Sequence, residues 1–472
     1  MKRNHLLWVL LLSLSVRVPL LVTQHDAYLT GGIVTSMGLV ARNLLEGRGL
    51  AETTGPPEIF RLDDLQFREG KLRDIREFPN PPDQTTKPLI QRMPGYPALL
   101  ALIWKVTGSY TYLPAQILQV LLSALLPLLL YDAARRLFGR SAGLAAGVLG
   151  ALNVPEARLS VVPLYDWWLV PLAAFIAWLL VRAAARGYPV RDFIVMGLAV
   201  AAGVYFKPTV LVLPLFVMAA LLPRLPGRPA LLRGALAFGI PILALVPWAV
   251  RNDRIFHRPI LTSTFFWPTI WEGFGEVPND FGAYLDDRTT YLQALDSRKP
   301  LVYGTPEYDD HFRSKVIRVV ESRPGFVASL WVHRLTRALL FPGNPWGISR
   351  AEDPEASFTR FQAARGGGMA AYLMERPGTF LVKLLQRVWE PFLFCMALLT
   401  LAVDRSRWKE FLPLVALPVS LLAVIVPIHL EGRYLLPGTQ VWILLAAAPL
   451  AAWFLPDRDP RPSGAGLPDA QA

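Results

Sequence analysis

Apolar residues in this chain run in blocks, not in amphipathic stripes. Such blocks recur near 6–22, 113–131, 142–152, 167–181, 193–206, 209–222, 235–250, 380–403, 411–426 and 435–455. A helix needs about 20 apolar residues to cross the roughly 30 Å hydrocarbon core of a bilayer. Lipid offers no partner for free backbone groups, so blocks of this kind predict helices that satisfy their own hydrogen bonds. The pattern predicts an all-α polytopic membrane protein, a helical bundle of about ten spans. Two places are less simple. The 142–152 block is short and glycine-rich and continues past Pro155. The blocks flanking Lys207-Pro208 read either as two spans or as one span kinked at the proline.

The loops between blocks give the bundle a direction. With Lys2 and Arg3 placed inside, every second loop is basic. These loops carry Arg135, Arg136 and Arg140, then Arg182, Arg186 and Arg191, then Arg224, Arg228 and Arg233, then Arg405, Arg407 and Lys409. The opposite short turns hold one base each: Arg158, Lys207 and Arg433. The bias of basic loops toward the cytoplasm therefore places both termini there. Two long segments, 23–112 and 251–379, fall on the outer side, and their aromatic, charged, proline- and glycine-punctuated sequence predicts folded caps. The chain thus divides into an N-terminal transmembrane module with the first outer loop (1–250), a cap (251–379), C-terminal transmembrane helices (380–456) and a disordered cytoplasmic tail (457–472). Within the first loop, 27–46 reads as a helix ending at Gly47, 63–83 as a polar loop, and 98–106 as an interfacial or re-entrant helix too short to span. In the cap, 326–340 reads as a surface helix with Trp331, Leu335 and Leu339 on one face and His333, Arg334 and Arg337 interrupting the pattern. Gly366-Gly367-Gly368 reads as a hinge or tight turn.

Composition agrees: 53% of residues are hydrophobic and 18% charged. The net charge of +12 would suggest nucleic-acid binding in a soluble chain. Most of that excess lies in the inside loops, where membrane orientation accounts for it, so the expected partner is the bilayer and not nucleic acid. The N-terminus resembles a secretory leader, but Arg17 interrupts the apolar run and no small-x-small site precedes Asp26, so it is read as a retained span. A single Cys395 allows neither an intramolecular disulfide nor a cysteine metal cluster.

Charged residues at the outer ends of apolar spans are costly to place and therefore informative. They are Asp26, then Glu156, Arg158 and Asp166, then Lys207, then Arg251, and finally His429, Glu431 and Arg433 with Tyr434. Each has a plain structural reading. Arg17 and Arg251 would snorkel to the headgroups, Asp166 would cap the helix from Trp167, and Glu156 and Arg158 would pair with each other. Lys207, between Phe206 and Pro208, has little freedom to reach water. The acid pairs Asp286-Asp287 and Asp309-Asp310 read as solvated loop charge or as a Ca²⁺ or Mg²⁺ site, but no ligand ladder of defined spacing follows them. Carboxylates among several bases at a membrane boundary suit chemistry on a lipid phosphate. The bases hold the phosphate, a carboxylate takes the proton of an acceptor hydroxyl or amine, and fixed charge stabilises the departing phosphate.

Several segments, taken in order, carry a resemblance. They are Arg17; Asp26 and Tyr28; Asn43-Leu44-Leu45-Glu46-Gly47-Arg48-Gly49; Arg92-Met93-Pro94-Gly95-Tyr96-Pro97; Lys207-Pro208; Pro247-Trp248-Ala249-Val250-Arg251-Asn252; Trp271-Glu272-Gly273; and Glu431-Gly432-Arg433-Tyr434-Leu435-Leu436-Pro437. Their sequence and order resemble the GT-C class membrane glycosyltransferases, close to the family 39 type of protein mannosyltransferase-like and aminoarabinose transferase-like enzymes. The resemblance implies a GT-C-type bundle with an outer cap and a polyprenyl-phosphate sugar donor. It also implies Asp26 as catalytic base, Lys207 and Arg251 as phosphate ligands, and Arg433 as a further donor-site residue. Arg92, Tyr96, Asp166, Glu431 and Tyr434 are the supporting residues so implied, and Arg158, from the charged outer turns, is a further supporting residue. Many members carry a second acid directly after the first, where this chain has Ala27. Asp26 is then the lone base and no cofactor is expected, a divalent metal remaining the alternative. The implied activity is transfer of one sugar, with inversion, to an acceptor lipid, glycan or protein on the periplasmic face of a bacterial inner membrane. The alternatives are a transporter or flippase of a lipid-linked saccharide and a non-catalytic assembly protein.

Overall fold

The computed structural model describes residues 2–26, 29, 32–54, 73–78, 85–225, 227–295, 301–340 and 358–455. In chain order the elements are α1 (Lys2–Gln24), α2 (Gly32–Leu45), β1 (Ala51–Thr54), β2 (Thr85–Pro88), α3 (Gly95–Thr107), α4 (Leu113–Phe138), α5 (Arg140–Ala151) and α6 (Val154–Val161). Then come α7 (Leu169–Ala184), α8 (Val190–Phe206), α9 (Leu213–Leu221), α10 (Arg228–Phe256), α11 (Phe266–Phe274), α12 (Asp287–Leu295), α13 (Pro306–Ser322) and α14 (Pro324–Leu340). The chain continues through α15 (Phe358–Arg365), α16 (Met369–Glu375), α17 (Pro377–Val403), α18 (Trp408–Ile428) and α19 (Leu436–Phe454). Every apolar block of the sequence is helical, and the fold is nearly all-α. Among the described residues, seven helices are long and apolar enough to cross a membrane: Asn4–Gln24, Leu113–Phe138, Tyr165–Ala184, Arg228–Phe256, Pro377–Val403, Arg405–Ile428 and Leu436–Phe454. The blocks at 142–152, 193–206 and 209–222 form the shorter helices α5, α8 and α9. The tail at 457–472 and most of the 63–83 loop lie outside the described residues.

The two sequence ambiguities are resolved by chain direction. Past Leu152 the chain does not continue α5. Asn153 caps a new helix, its side chain accepting from the Glu156 N–H, and α6 begins. At Lys207 the chain reverses instead of kinking. Arg233 Nε donates to the Tyr188 carbonyl (2.7 Å) and the Tyr205 hydroxyl donates to the Ala244 carbonyl (2.6 Å), so α8 and α10 run parallel. Arg224 Nη1 meets the Tyr188 hydroxyl (3.2 Å), so the intervening α9 returns to the starting end. Lys207 therefore sits at the tip of a hairpin of two legs.

The basic loops gather at the end opposite Lys207. Arg407 donates to the Leu137 carbonyl (3.0 Å) and pairs with Glu410 (2.7 Å), which also faces Arg224 (3.7 Å), while Arg186 pairs with Asp192 (2.5 Å). Arg17 does not snorkel. Its guanidinium is fully buried, donating to Ser123 (2.6 Å), the Ala151 carbonyl (2.9 Å) and Glu156 (2.6 Å). Glu156 also accepts from Ser123 (2.8 Å) and from the Trp167 indole (2.9 Å), so its ion partner is Arg17 and not Arg158. An unpaired charge at this depth would be too costly, which is why the pair forms across α1 and α6.

The first long loop contains an antiparallel two-stranded sheet that the sequence pattern did not announce, with Ala51 opposite Pro88 and Thr54 opposite Thr85. Strands of four residues are too short to display a reliable alternation. Helix α2 ends before Gly47 and Gly49, both at positive φ (79° and 74°). Helix α3 has 13 residues, short of a span, and starts against the end of α8. A Cβ at Gly95 would collide with the Tyr205 carbonyl, so glycine is what allows that approach. The cap packs α11, α13 and α14 around Trp271, Phe274, Tyr308, Phe312 and Leu330. In α14 the buried positions are Val327, Leu330, Arg334 and Ala338, whereas Trp331 and Leu335 are exposed. The apolar stripe seen in the sequence thus faces outward, and Arg334, which seemed to break it, marks the inner face. Gly366 adopts φ 67° in the turn between α15 and α16.

Candidate active site

At the end of the bundle that holds Lys207, a cavity of about 510 Å³ opens between the Arg92 segment, the tip of the α8–α9 hairpin, the cap and the turn joining α18 to α19. One part of its wall is cationic. Lys207 follows the last residue of α8 in extended backbone (φ −152°), and Pro208 opens a tight turn behind it. Its ammonium bonds the Asp166 carboxylate and stands 3.3 Å from the centre of the Tyr434 ring. Arg433, in the 3-10 turn Gly432–Tyr434, places Nε 3.3 Å from the same aspartate and donates from Nη2 to Glu431 (2.7 Å). The Tyr434 hydroxyl donates to the same Glu431 oxygen (3.0 Å). Asp166 is 2% exposed and makes no capping bond; its carboxylate spans the two cations, which corrects the cap reading. Arg92 lines the same cavity and donates to the Ser36 hydroxyl (2.9 Å).

Burial and neighbours set the charge states. Burial lowers the Lys207 pKa, and Asp166 only partly offsets it. Burial disfavours the Glu431 carboxylate, but Arg433, His429 and Lys207 outweigh it and bring its pKa to about 2. His429 lies between Glu276 (2.7 Å from Nδ1) and Glu431 (3.3 Å from Nε2). Burial alone would lower its pKa, yet the two carboxylates raise it above the ordinary value.

Another part of the wall is acidic, with Glu272, Asp286 and Asp287. Glu272 is 7% exposed, and its Oε1 has no hydrogen-bond partner among the described residues. Burial first, and Asp287 second, push its carboxyl well above the usual carboxylate range. Asp286 accepts from the Thr289 N–H (2.8 Å) and hydroxyl (2.6 Å) at the start of α12. Asp309 accepts from the Trp267 N–H (3.1 Å), and Asp310 pairs with Arg258 (2.5 Å). The acid pairs are thus occupied in part by capping and bridging. Among the described residues no group of three or more His, Cys, Asp or Glu side chains is arranged to hold a metal ion.

The structure therefore brings Arg92, Lys207, Glu431, Arg433 and Tyr434 to one cavity, with Asp166 directly behind two of them. It places others apart. Asp26 pairs with Arg73 (3.1 Å) and His25 (3.4 Å) outside the cavity wall, although Ile33, seven residues on, lines it. Tyr28 and Ala27 lie outside the described residues. Arg251 donates to the Leu89 and Asn252 oxygens (2.5 and 2.8 Å) and to the Leu50 carbonyl (3.2 Å), so it latches the first-loop hairpin to α10. Arg158 is 7% exposed, away from the cavity wall, with Nη1 unpartnered among the described residues. Tyr96 is buried in a cluster with Trp104 and Tyr112. Glu272 and Glu276 were not singled out from sequence as site residues. The available signal was the place of Glu272 beside Gly273 and of Glu276 beside Gly275 in an otherwise apolar, aromatic stretch.

Fold and site define a class: an all-α polytopic membrane protein with a charged, half-enclosed cavity at one end of its bundle. Residues 87–250, about a third of the chain, match the family model described as dolichyl-phosphate-mannose-protein mannosyltransferase, a stretch that takes in Arg92, Asp166 and Lys207. This match supports a GT-C class glycosyltransferase. No protein of curated function matches the sequence. The archaeal oligosaccharyltransferase AglB from Archaeoglobus fulgidus, in complex with an inhibitory peptide and a dolichol-phosphate, aligns with 96% of this chain and 50% of its own at 12% identity and a TM-score of 0.49. The apo form of the Archaeoglobus fulgidus oligosaccharyltransferase gives 13% identity, coverage of 96% and 50%, and a TM-score of 0.46. The chain spans about half the length of that enzyme, and a likeness at this score carries no argument about its chemistry.

Proposed function

We propose that this chain moves a single sugar from a polyprenyl-phosphate donor to an acceptor on the outer face of a bacterial inner membrane, with both termini in the cytoplasm. The observation that carries the reading is the pair of buried cations, Lys207 and Arg433, at a cavity large enough for a sugar phosphate. The donor phosphate binds against Lys207 and Arg433, with Arg92 nearby; desolvated, preorganised cations stabilise a phosphate best as it gathers charge on leaving. The acceptor hydroxyl or amine attacks the anomeric carbon from the opposite side. The bond from carbon to phosphate oxygen breaks, the electron pair leaves with polyprenyl phosphate, and the configuration inverts. The acceptor proton passes to a carboxylate base. Asp26 is that base in this proposal, since its segment leads within seven residues to Ile33 in the cavity wall. One observation favours a second assignment: Glu272 lies in the wall itself, buried, with an oxygen that has no partner among the described residues.

The experiment is turnover of a polyprenyl-phosphate sugar by purified enzyme, with products identified by mass spectrometry. Asp26→Asn is expected to abolish transfer with folding intact. If Asp26→Asn keeps turnover and Glu272→Gln loses it, the base is Glu272. Movement of labelled lipid across vesicles without cleavage of the donor would replace the transferase reading with a transporter.

A further inference from the structure

The cap and the cationic end of the cavity are joined through one side chain. His429 directly follows α18, and its ring presents both nitrogens to carboxylates on different elements. Nδ1 lies 2.7 Å from Glu276 Oε1, in the turn after α11, and Nε2 lies 3.3 Å from Glu431 Oε1, in the turn before α19. A neutral imidazole has one N–H and one lone pair, so it donates to one carboxylate and turns a lone pair toward the other. Only the imidazolium donates to both.

The groups around the ring alternate in sign. On the cap side, Glu276 is 1% exposed at its side chain and faces Arg334 (3.3 Å) and Arg337 (3.5 Å) from α14, and it accepts the Leu430 N–H (3.0 Å). Arg334 in turn donates to the Val426 carbonyl (2.8 Å) in the last turn of α18. On the cavity side, Glu431 holds Arg433, Arg433 meets Asp166, and Asp166 holds Lys207. The Tyr434 ring lies edge-on, 6.2 Å from the imidazole. The series Arg334, Glu276, His429, Glu431, Arg433, Asp166, Lys207 alternates throughout only when His429 carries a proton. His429 also lines the cavity, so water has a route to it. Gly273 makes the junction fit, because a Cβ there would collide with the Ile428 carbonyl and with Arg334.

We propose that His429 is a positioning residue: its imidazolium clamps the cap to the Glu431–Arg433 turn and so holds Arg433 and Lys207 where they meet a lipid phosphate. Loss of the proton breaks one of the two bonds, leaves the Leu430 N–H and Arg334 contacts to hold the junction more loosely, and weakens phosphate binding. The proposal rests on the donor-phosphate reading of the same cavity, and two independent readouts separate their failures.

The first readout is a pH titration of ¹³C-histidine resonances of the full chain in nanodiscs, His429 being assigned by its absence in His429→Gln. The resonance is expected to titrate above the ordinary histidine range, and Glu276→Gln is expected to lower its midpoint. A midpoint at or below the ordinary range, or one indifferent to Glu276→Gln, overturns the clamp whatever the enzyme's activity. The second readout is binding of polyprenyl phosphate to the same samples. Wild-type affinity is expected to fall roughly tenfold as pH rises through the His429 midpoint, because small misplacements of a charged clamp are costly. His429→Gln and Glu276→Gln are expected to bind weakly at every pH. Wild-type affinity with an unchanged pH dependence in both variants overturns the proposal. Absence of binding to the wild type at all pH values would overturn the donor-phosphate reading, and the clamp's role in it, while the titration still decides the protonation of His429.

Discussion

At the scale of single residues, burial turns ordinary charges into fixed structural parts. Arg17 and Glu156 are 0% and 1% exposed at their side chains and 2.6 Å apart. Removing one member strands the other's charge in an apolar interior, whereas removing both leaves no unpaired charge, although Trp167, Ser123 and the Ala151 carbonyl lose a partner. Arg17→Met is therefore expected to destabilise the protein by about 3–5 kcal/mol. Arg17→Met combined with Glu156→Leu is expected to recover much of that loss. Thermal unfolding of the three variants in one detergent tests this, and a double variant as unstable as the single one would refute it. Arg251 makes the same point about legibility. Its sequence context matches a phosphate-ligand motif, but its three carbonyl and amide acceptors hold the first loop to α10. A guanidinium can donate to phosphate and to carbonyl oxygens alike, and the surrounding fold decides which it meets.

At the scale of elements, two glycines set how closely helices approach the cavity. Gly95 lets the start of α3 rest on the end of α8, and Gly273 lets α11 rest on the end of α18. At both places an added methyl meets backbone, which cannot rotate away. Gly95→Ala and Gly273→Ala are each expected to cost about 1–3 kcal/mol, with movement of Lys207 in the first case and His429 in the second. Gly239→Ala in α10 is the control: nothing lies within 4 Å of the point its Cβ would occupy, and alanine suits a helix better than glycine. Stability measured by chemical or thermal unfolding should rank the control at or above the wild type and the other two below it. The glycines themselves were visible in the sequence. Their partners were not, because Tyr205 and Ile428 lie more than a hundred residues away from them in the chain.

At the scale of the whole molecule, charge is sorted to the two ends of the bundle. The basic loops meet around Glu410 at one end, and the alternating series from Arg334 to Lys207 occupies the other. If the arginine-rich end is cytoplasmic, single cysteines placed in a Cys395→Ser background will divide accordingly. A cysteine at Asp280 is expected to react with an impermeant maleimide in intact cells, and one at Arg405 only after permeabilisation; the reverse result would invert the topology. Stability should also depend on pH at the cap junction. The Glu431 pKa is depressed from 4.5 to about 2, so its contribution is fully present above the ordinary value and is lost as pH falls toward 2. The His429 pKa is raised from 6.5, so its contribution is present below that value and is lost as pH rises through the raised one. The junction is then tightest between these two ordinary values, 4.5 and 6.5. Unfolding temperature followed against pH should show both limbs, and His429→Gln should flatten the alkaline one.

The sequence by itself determined the helices, their apolar lengths and the sorting of basic loops, because lipid imposes those properties on any spanning chain regardless of its partners. It also put Lys207, Arg433, Glu431 and Tyr434 forward, since charge near a membrane is too costly to be casual. Tertiary structure decided the rest. It chose Arg17 as the partner of Glu156, gave Arg251 to the first-loop hairpin, turned Arg334 inward and set His429 between two carboxylates. Those choices depend on which side chains meet across elements distant in the chain. Local periodicity carries no record of such meetings, because pairing energies act through space and not along the backbone.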